Sequence, residues 1–83
     1  MVDLVILITP DELERFGRFL FGRAWRNGIA EALNVEPRRV KEMASGIRRL
    51  TPNQVRKILE LVDLRQDELR ERLVLFEQTQ DSD

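Results

Sequence analysis

Residues 26–46 read RNGIAEALNVEPRRVKEMASG and carry the strongest structural signal in the chain. Asn34 stands where the chain must reverse, and asparagine tolerates the left-handed backbone conformation that tight turns use. Ala30 precedes it by four residues, and so small a side chain lets two helices approach closely. Val40 and Met43 follow at helical spacing, where they would fill the seam between the helices. The segment therefore predicts two helices that cross at a short turn.

Helix starts and stops on both sides of this segment follow from capping chemistry. Thr9 to Glu12 form a capping box with proline in the first turn, and Thr51-Pro52 repeats the start. Gly22 and Gly46 are expected to end helices. The expected helices cover residues 10–21, 24 or 25 to 33, 37–45, 52 onward and 64–78. Because no glycine or proline separates the last two, they are either two helices or one long helix.

The sequence thus predicts an all-α fold of four or five helices that includes a helix-turn-helix. Residues 2–8 are β-branched and aliphatic, which favours a short N-terminal β-strand or arm. The main domain is expected at residues 9–62, a C-terminal helix at 63–78 and a disordered tail at 79–83. The expected shared core consists of Trp25, Ile29, Leu33, Val35, Val40, Met43, Ile58 and Leu59.

The charges are segregated along the chain although the formal net charge is only -1. Residues 1–14 carry four acidic groups, whereas residues 15–57 carry eleven basic and three acidic groups. Residues 58–83 return to three basic and eight acidic groups. A basic middle between acidic ends is typical of a surface that binds a polyanion.

The chain from Trp25 to Val55 resembles the Cro/repressor-type helix-turn-helix family, also called lambda-repressor-like or XRE. Residues 33–46 match its turn, its recognition helix and its closing Ser-Gly, and residues 21–25 and 50–52 resemble small phage-like bacterial members. The similarity extends over about Thr9 to Val62. The family usually has glycine in place of Asn34, and serine or threonine in place of Glu36. The resemblance implies a sequence-specific DNA-binding regulator, expected to be a repressor.

The resemblance places the third helix in the major groove, with its N-terminal residues toward the base edges. Arg38 is the leading candidate for a base contact, since arginine paired with guanine is the commonest specific contact. Glu42, one turn later, either accepts a hydrogen bond from cytosine or forms a surface ion pair with Arg38. The expected base-contacting residues are Pro37, Arg38, Lys41 and Glu42.

A second set of residues is expected to contact phosphates. The start of the second helix resembles the phosphate clamp of the family, and backbone amides there favour an anion. The loop after the third helix carries two arginines where family members contact the DNA backbone. The expected phosphate contacts are Trp25, Arg26, Asn27, Arg39, Arg48 and Arg49, with Trp25 also expected as a core anchor.

Enzymatic and membrane functions find no support in the sequence. Cysteine and histidine are absent, which removes thiolate metal sites and the commonest general base. No Ser-His-Asp arrangement, Gly-rich phosphate loop or metal-ligand spacing is present. Residues 4–8 are too few to span a bilayer, which needs about 20 apolar residues. We expect a cytoplasmic non-enzyme without metal, cofactor or small-molecule ligand.

Apolar residues at both ends of the chain favour a homodimer, because one short helix makes few contacts with DNA. The candidate dimer residues are Leu4, Ile6 and Ile8 in the N-terminal arm, and Leu69, Leu73 and Phe76 near the C-terminus. The sequence leaves open which of these two groups forms the interface. Two other functions also remain open: a protein-interaction module on the same scaffold, and an antitoxin-like protein that binds both DNA and a partner.

Overall fold

The computed structural model describes residues 8–81, and all regular secondary structure in that range is helical. Helix α1 spans Pro10–Phe21, α2 spans Trp25–Leu33, α3 spans Pro37–Ala44 and α4 spans Pro52–Asp81. A short 3-10 helix, Gly22–Ala24, joins α1 to α2. The all-α prediction is confirmed. The strand expected at residues 2–8 lies outside the described residues except for Ile8, which is not in a strand.

The helix starts have the predicted caps. The Thr9 hydroxyl accepts a hydrogen bond from the Glu12 amide at 3.1 Å, and the Glu12 carboxylate accepts one from the Thr9 amide at 2.8 Å. Thr51 and Gln54 form the same reciprocal pair at the start of α4, at 3.2 and 2.9 Å. Each pair satisfies two backbone donors that the first turn of a helix leaves free.

The two C-terminal helices that the sequence left open are one helix of 30 residues. It includes residues 79–81, so a disordered tail starting at residue 79 was wrong for these three positions. The helix continues to Asp81 because residues 53–81 contain no glycine or proline, the two residues that destabilise a helix interior most. Among the described residues, no helix has both the length and the hydropathy needed to cross a membrane.

One hydrophobic core joins all four helices. Its buried members are Ile8, Leu13, Trp25, Ile29, Ala30, Val40, Met43, Leu50, Val55 and Ile58. Five of the eight predicted core residues are buried there, and Leu33 and Val35 pack against it while partly exposed. Leu59 was wrongly predicted, since 39% of it is exposed. It follows Ile58 directly and therefore points about 100° away from the buried face of α4.

Candidate nucleic-acid interface

The turn between α2 and α3 fixes the direction in which α3 leaves the domain. Asn34 has the predicted left-handed conformation, with φ 57° and ψ 47°. Its amide donates to the carbonyl oxygen of Glu31 at 3.2 Å, and the Val35 amide donates to that of Ala30 at 2.9 Å. These bonds satisfy the last carbonyl groups of α2 and turn the chain within three residues.

Helix α3 is anchored on its inner side and open on its outer side. Val40 and Met43 are buried in the core, against which α1 and α2 also pack. The outer residues Pro37, Arg38, Arg39 and Lys41 are all exposed, and 84% of the Arg38 side chain is accessible. The helix therefore offers a rigid backbone with long cationic side chains directed into solvent.

Glu42 is the centre of a small charged cluster at the end of this outer side. Its carboxylate accepts a hydrogen bond from Nε of Arg48 at 3.0 Å, and its other oxygen lies 4.0 Å from Nε of Arg38. Its backbone carbonyl oxygen accepts from the amides of Ile47 and Arg48, at 3.0 and 3.3 Å. Glu42 thus holds the loop after α3 through both its main chain and its side chain.

The cluster differs from the pairing that the sequence suggested. Sequence spacing indicated Arg38 as the partner of Glu42, but Arg48 is the closer one. Spacing along one helix could not reveal this, because Gly46 has φ 80° and reverses the chain so that Arg48 returns to Glu42. The Glu42 side chain is only 27% exposed. With an arginine on each oxygen, its carboxylate is engaged within the chain.

The start of α2 combines a buried and an exposed part. Trp25 is 2% exposed, so its predicted role as a core anchor is confirmed, and its ring faces the core rather than solvent. The sequence could not separate the two roles of this tryptophan, because a position at a helix start does not indicate which way the ring points. The guanidinium of Arg26 lies 5.2 Å from the centroid of the Trp25 ring, a cation–π distance. Arg26 and Asn27 are exposed.

The expected site residues are only partly connected to one another. Ion pairs join Arg38, Glu42 and Arg48. Within residues 8–81, no side-chain hydrogen bond or ion pair links the remaining candidates to this cluster, and all but Trp25 are exposed. These remaining candidates are Trp25, Arg26, Asn27, Pro37, Arg39, Lys41 and Arg49.

Ile47 is a surface residue that sequence reasoning missed. It is 78% exposed and lies between the end of α3 and the two loop arginines. The sequence signal for its exposure was its position directly after Gly46, outside the apolar stripe of every predicted helix. An exposed aliphatic side chain beside cationic ones can make an apolar contact, for example with a thymine methyl group.

Comparison of the chain with family models, with curated proteins and with solved structures found no match.

Proposed function

We propose that this chain is a sequence-specific, double-stranded DNA-binding transcriptional regulator that acts as a repressor. The observation that carries the proposal is α3, whose inner side is buried while its outer side exposes Arg38, Arg39 and Lys41. A helix about 10–12 Å across fits the major groove, which is about 12 Å wide. An anchored helix holds its base-contacting side chains at fixed positions, as sequence recognition requires.

Arg38 is the proposed base-contacting residue, with Pro37 and Lys41 beside it on the same helix. Its accessible guanidinium can donate two hydrogen bonds to guanine, worth about 1–3 kcal/mol of discrimination. Glu42 acts as a positioning residue, because its carboxylate restrains Arg48 and lies within reach of Arg38. We prefer this role over a direct contact with cytosine, since both carboxylate oxygens face arginines.

The remaining cationic residues suit the phosphate backbone. Arg48 and Arg49 lie in the loop directly after α3, and Arg39 lies on α3 itself. Arg26 and Asn27 are exposed in the first turn of α2, where backbone amides also favour an anion. Contacts of this kind fix the position of the protein on the duplex without reading its sequence.

The decisive experiment separates base contacts from phosphate contacts. A preferred site is first selected from random duplex DNA, and each variant is titrated with that site and with a scrambled site at two salt concentrations. Arg38→Ala should reduce the preference between the two sites about 5- to 150-fold, the equivalent of about 1–3 kcal/mol. Arg48→Ala and Arg49→Ala should weaken binding to both sites equally and lower the salt slope by about one phosphate each.

Arg15→Ala is the matched control, because it removes the same charge from an exposed position of α1, outside α3, the loop after it and the exposed second half of α4. It should leave both the preference and the salt slope unchanged. If Arg38→Ala retains the full preference for the selected site, α3 does not read the bases through Arg38. If the unmodified chain shows no salt-dependent affinity for any duplex, the DNA-binding proposal is wrong.

The second candidate is a protein-interaction module on the same scaffold that does not bind DNA. The large apolar side chains exposed along the second half of α4 favour it. This function needs no phosphate contacts, and it predicts a chain whose affinity for duplex DNA is absent or independent of salt. The titrations above therefore discriminate between the two candidates.

A further inference from the structure

The second half of α4 extends beyond the domain as a free arm, defined here as residues 63–80. Every residue of the arm is exposed, whereas Leu61 and Val62 just before it are partly buried. At 1.5 Å per residue the 18 residues of the arm measure about 27 Å. The longest dimension of the molecule is 54 Å, and its radius of gyration is 15.9 Å against about 12 Å for a compact domain of this length.

One side of the arm is apolar and continues the side of α4 that packs on the domain. Val55, Val62, Leu69 and Phe76 follow one another every seven residues, which keeps them on one face of the helix. Val55 is buried, and Val62 packs against the core. Leu69, Leu73 and Phe76 are between 50% and 60% exposed. The apolar stripe of these three residues therefore overhangs a space beside the domain that no other residue of the described range 8–81 fills.

We propose that the arm of a second copy of this chain occupies that space, antiparallel to the first. A parallel pair is sterically excluded, because residues 52–62 of the second copy would then take the place of α1 and α2. In an antiparallel pair each arm lies along the other, and each domain sits beyond the tip of the opposite arm. The contact is two-fold symmetric and therefore closes with two copies.

Charge selects the register of the two arms. If Leu69 faces Leu73 of the second copy, the Arg70 side chains of the two copies approach each other, and so do the two Arg72 side chains. These like charges oppose association. A shift that brings Leu73 opposite Phe76 of the second copy instead places Arg70 beside Glu77 of that copy, twice per dimer. Arg70 is already oriented by Asp67, whose carboxylate lies 3.2 Å from its Nη1. This register also brings Leu69 opposite Gln80 of the second copy.

Sedimentation of the full chain without DNA tests whether the stripe is the interface. The chain should be a dimer at micromolar concentration, and Leu73→Glu should raise the dimer dissociation constant at least about a hundredfold, since each dimer loses two buried leucines. Leu75→Glu is the matched control, because Leu75 is equally exposed two residues away on the opposite side of the helix. It should leave the dissociation constant unchanged.

Circular dichroism of both variants shows whether α4 remains helical. A helical Leu73→Glu protein that still dimerises would overturn the proposal, and so would an unmodified chain that remains a monomer. Equal effects of Leu73→Glu and Leu75→Glu would also overturn it, because a specific stripe must distinguish the two positions. Since these measurements use no DNA, they stand or fall independently of the proposed DNA binding.

Cross-linking tests the direction of the arms, and the chain contains no cysteine that could interfere. Leu69→Cys and Gln80→Cys proteins, one of them carrying an affinity tag, are mixed and oxidised. Antiparallel arms should give the mixed disulfide between residues 69 and 80 and little of either homodimer. Parallel arms would give the two homodimeric disulfides, which would overturn the antiparallel arrangement. Absence of all three products would overturn the proposed register.

Discussion

Gly17 is where the ring of Trp25 crosses α1, and this contact sets how closely α1 and α2 approach. A Cβ atom built on Gly17 would lie 2.5 Å from Cε3 and 3.0 Å from Cδ2 of Trp25. The sequence could identify Trp25 as a core anchor from its size and its place before Ile29. It could not identify Gly17 as the surface that receives the ring, because that depends on the angle between the two helices.

Gly17→Ala should therefore destabilise the protein, although alanine is the better helix former. The gain in helix propensity is about 1 kcal/mol, whereas displacing a buried tryptophan costs about 1–3 kcal/mol or more in a close-packed core. We expect a net loss of about 1–2 kcal/mol in the free energy of unfolding, measured with urea. Arg15→Ala, at an exposed position of the same helix, should change it by less than about 0.5 kcal/mol. A Gly17→Ala protein as stable as the original would show that Trp25 can shift without cost.

At the level of the elements, helix boundaries were predictable wherever the cap was encoded locally. The Thr9–Glu12 and Thr51–Gln54 pairs each depend on residues three positions apart, and α1 and α4 begin where those pairs predict. The length of α4 was not predictable, because Leu64, Val74 and Leu75 lie off the apolar stripe and blur its period. Whether that stripe faces the domain or solvent depends on where the domain ends, which periodicity does not encode.

Helix α3 begins without a side-chain cap, and this weakness can be corrected. Glu36 has the extended backbone of an N-cap, with φ -74° and ψ 146°, but its side chain caps no amide. Glu36→Ser should stabilise the fold by about 1 kcal/mol, because the serine hydroxyl can accept from an amide of the first turn. Thermal unfolding measures the effect. Glu31→Ser, inside α2, should instead be slightly destabilising, and a similar effect at both positions would contradict the capping argument.

At the scale of the whole molecule, charge separates the proposed DNA-binding side from the arm. The arm carries five acidic and three basic residues, whereas α3 with its following loop carries five basic residues and Glu42. The segregation of charge along the chain could be predicted from the sequence. Of the dimer candidates in the N-terminal arm, Ile8 is buried in the core of its own chain, and Leu4 and Ile6 lie outside the described residues. Phosphates would repel an acidic arm, which would leave it available for the proposed contact with a second copy.

The proposed pairing through the arms would make the proposed DNA binding depend on the spacing of two half-sites. In the proposed dimer each copy contributes one α3, and the arms hold the two domains more than one turn of DNA apart, so the half-sites are expected at a larger whole number of turns of about 34–36 Å each. The original chain should therefore bind a duplex with two correctly spaced half-sites far more tightly than a duplex with one. Inserting about 5 base pairs should abolish this gain, because half a turn moves one half-site to the opposite side of the helix.

The Leu73→Glu protein should lose this gain in affinity on the correctly spaced duplex, because the contact that tethers the two copies is removed. It should retain the affinity for a single half-site, because α3 is unchanged. Leu75→Glu should behave like the original chain. Titration of the three proteins with all three duplexes gives a complete comparison. If Leu73→Glu lost single half-site binding as well, the arm would be needed for the fold of the domain; if it kept the two-site gain, the copies would be joined by a surface other than the arm.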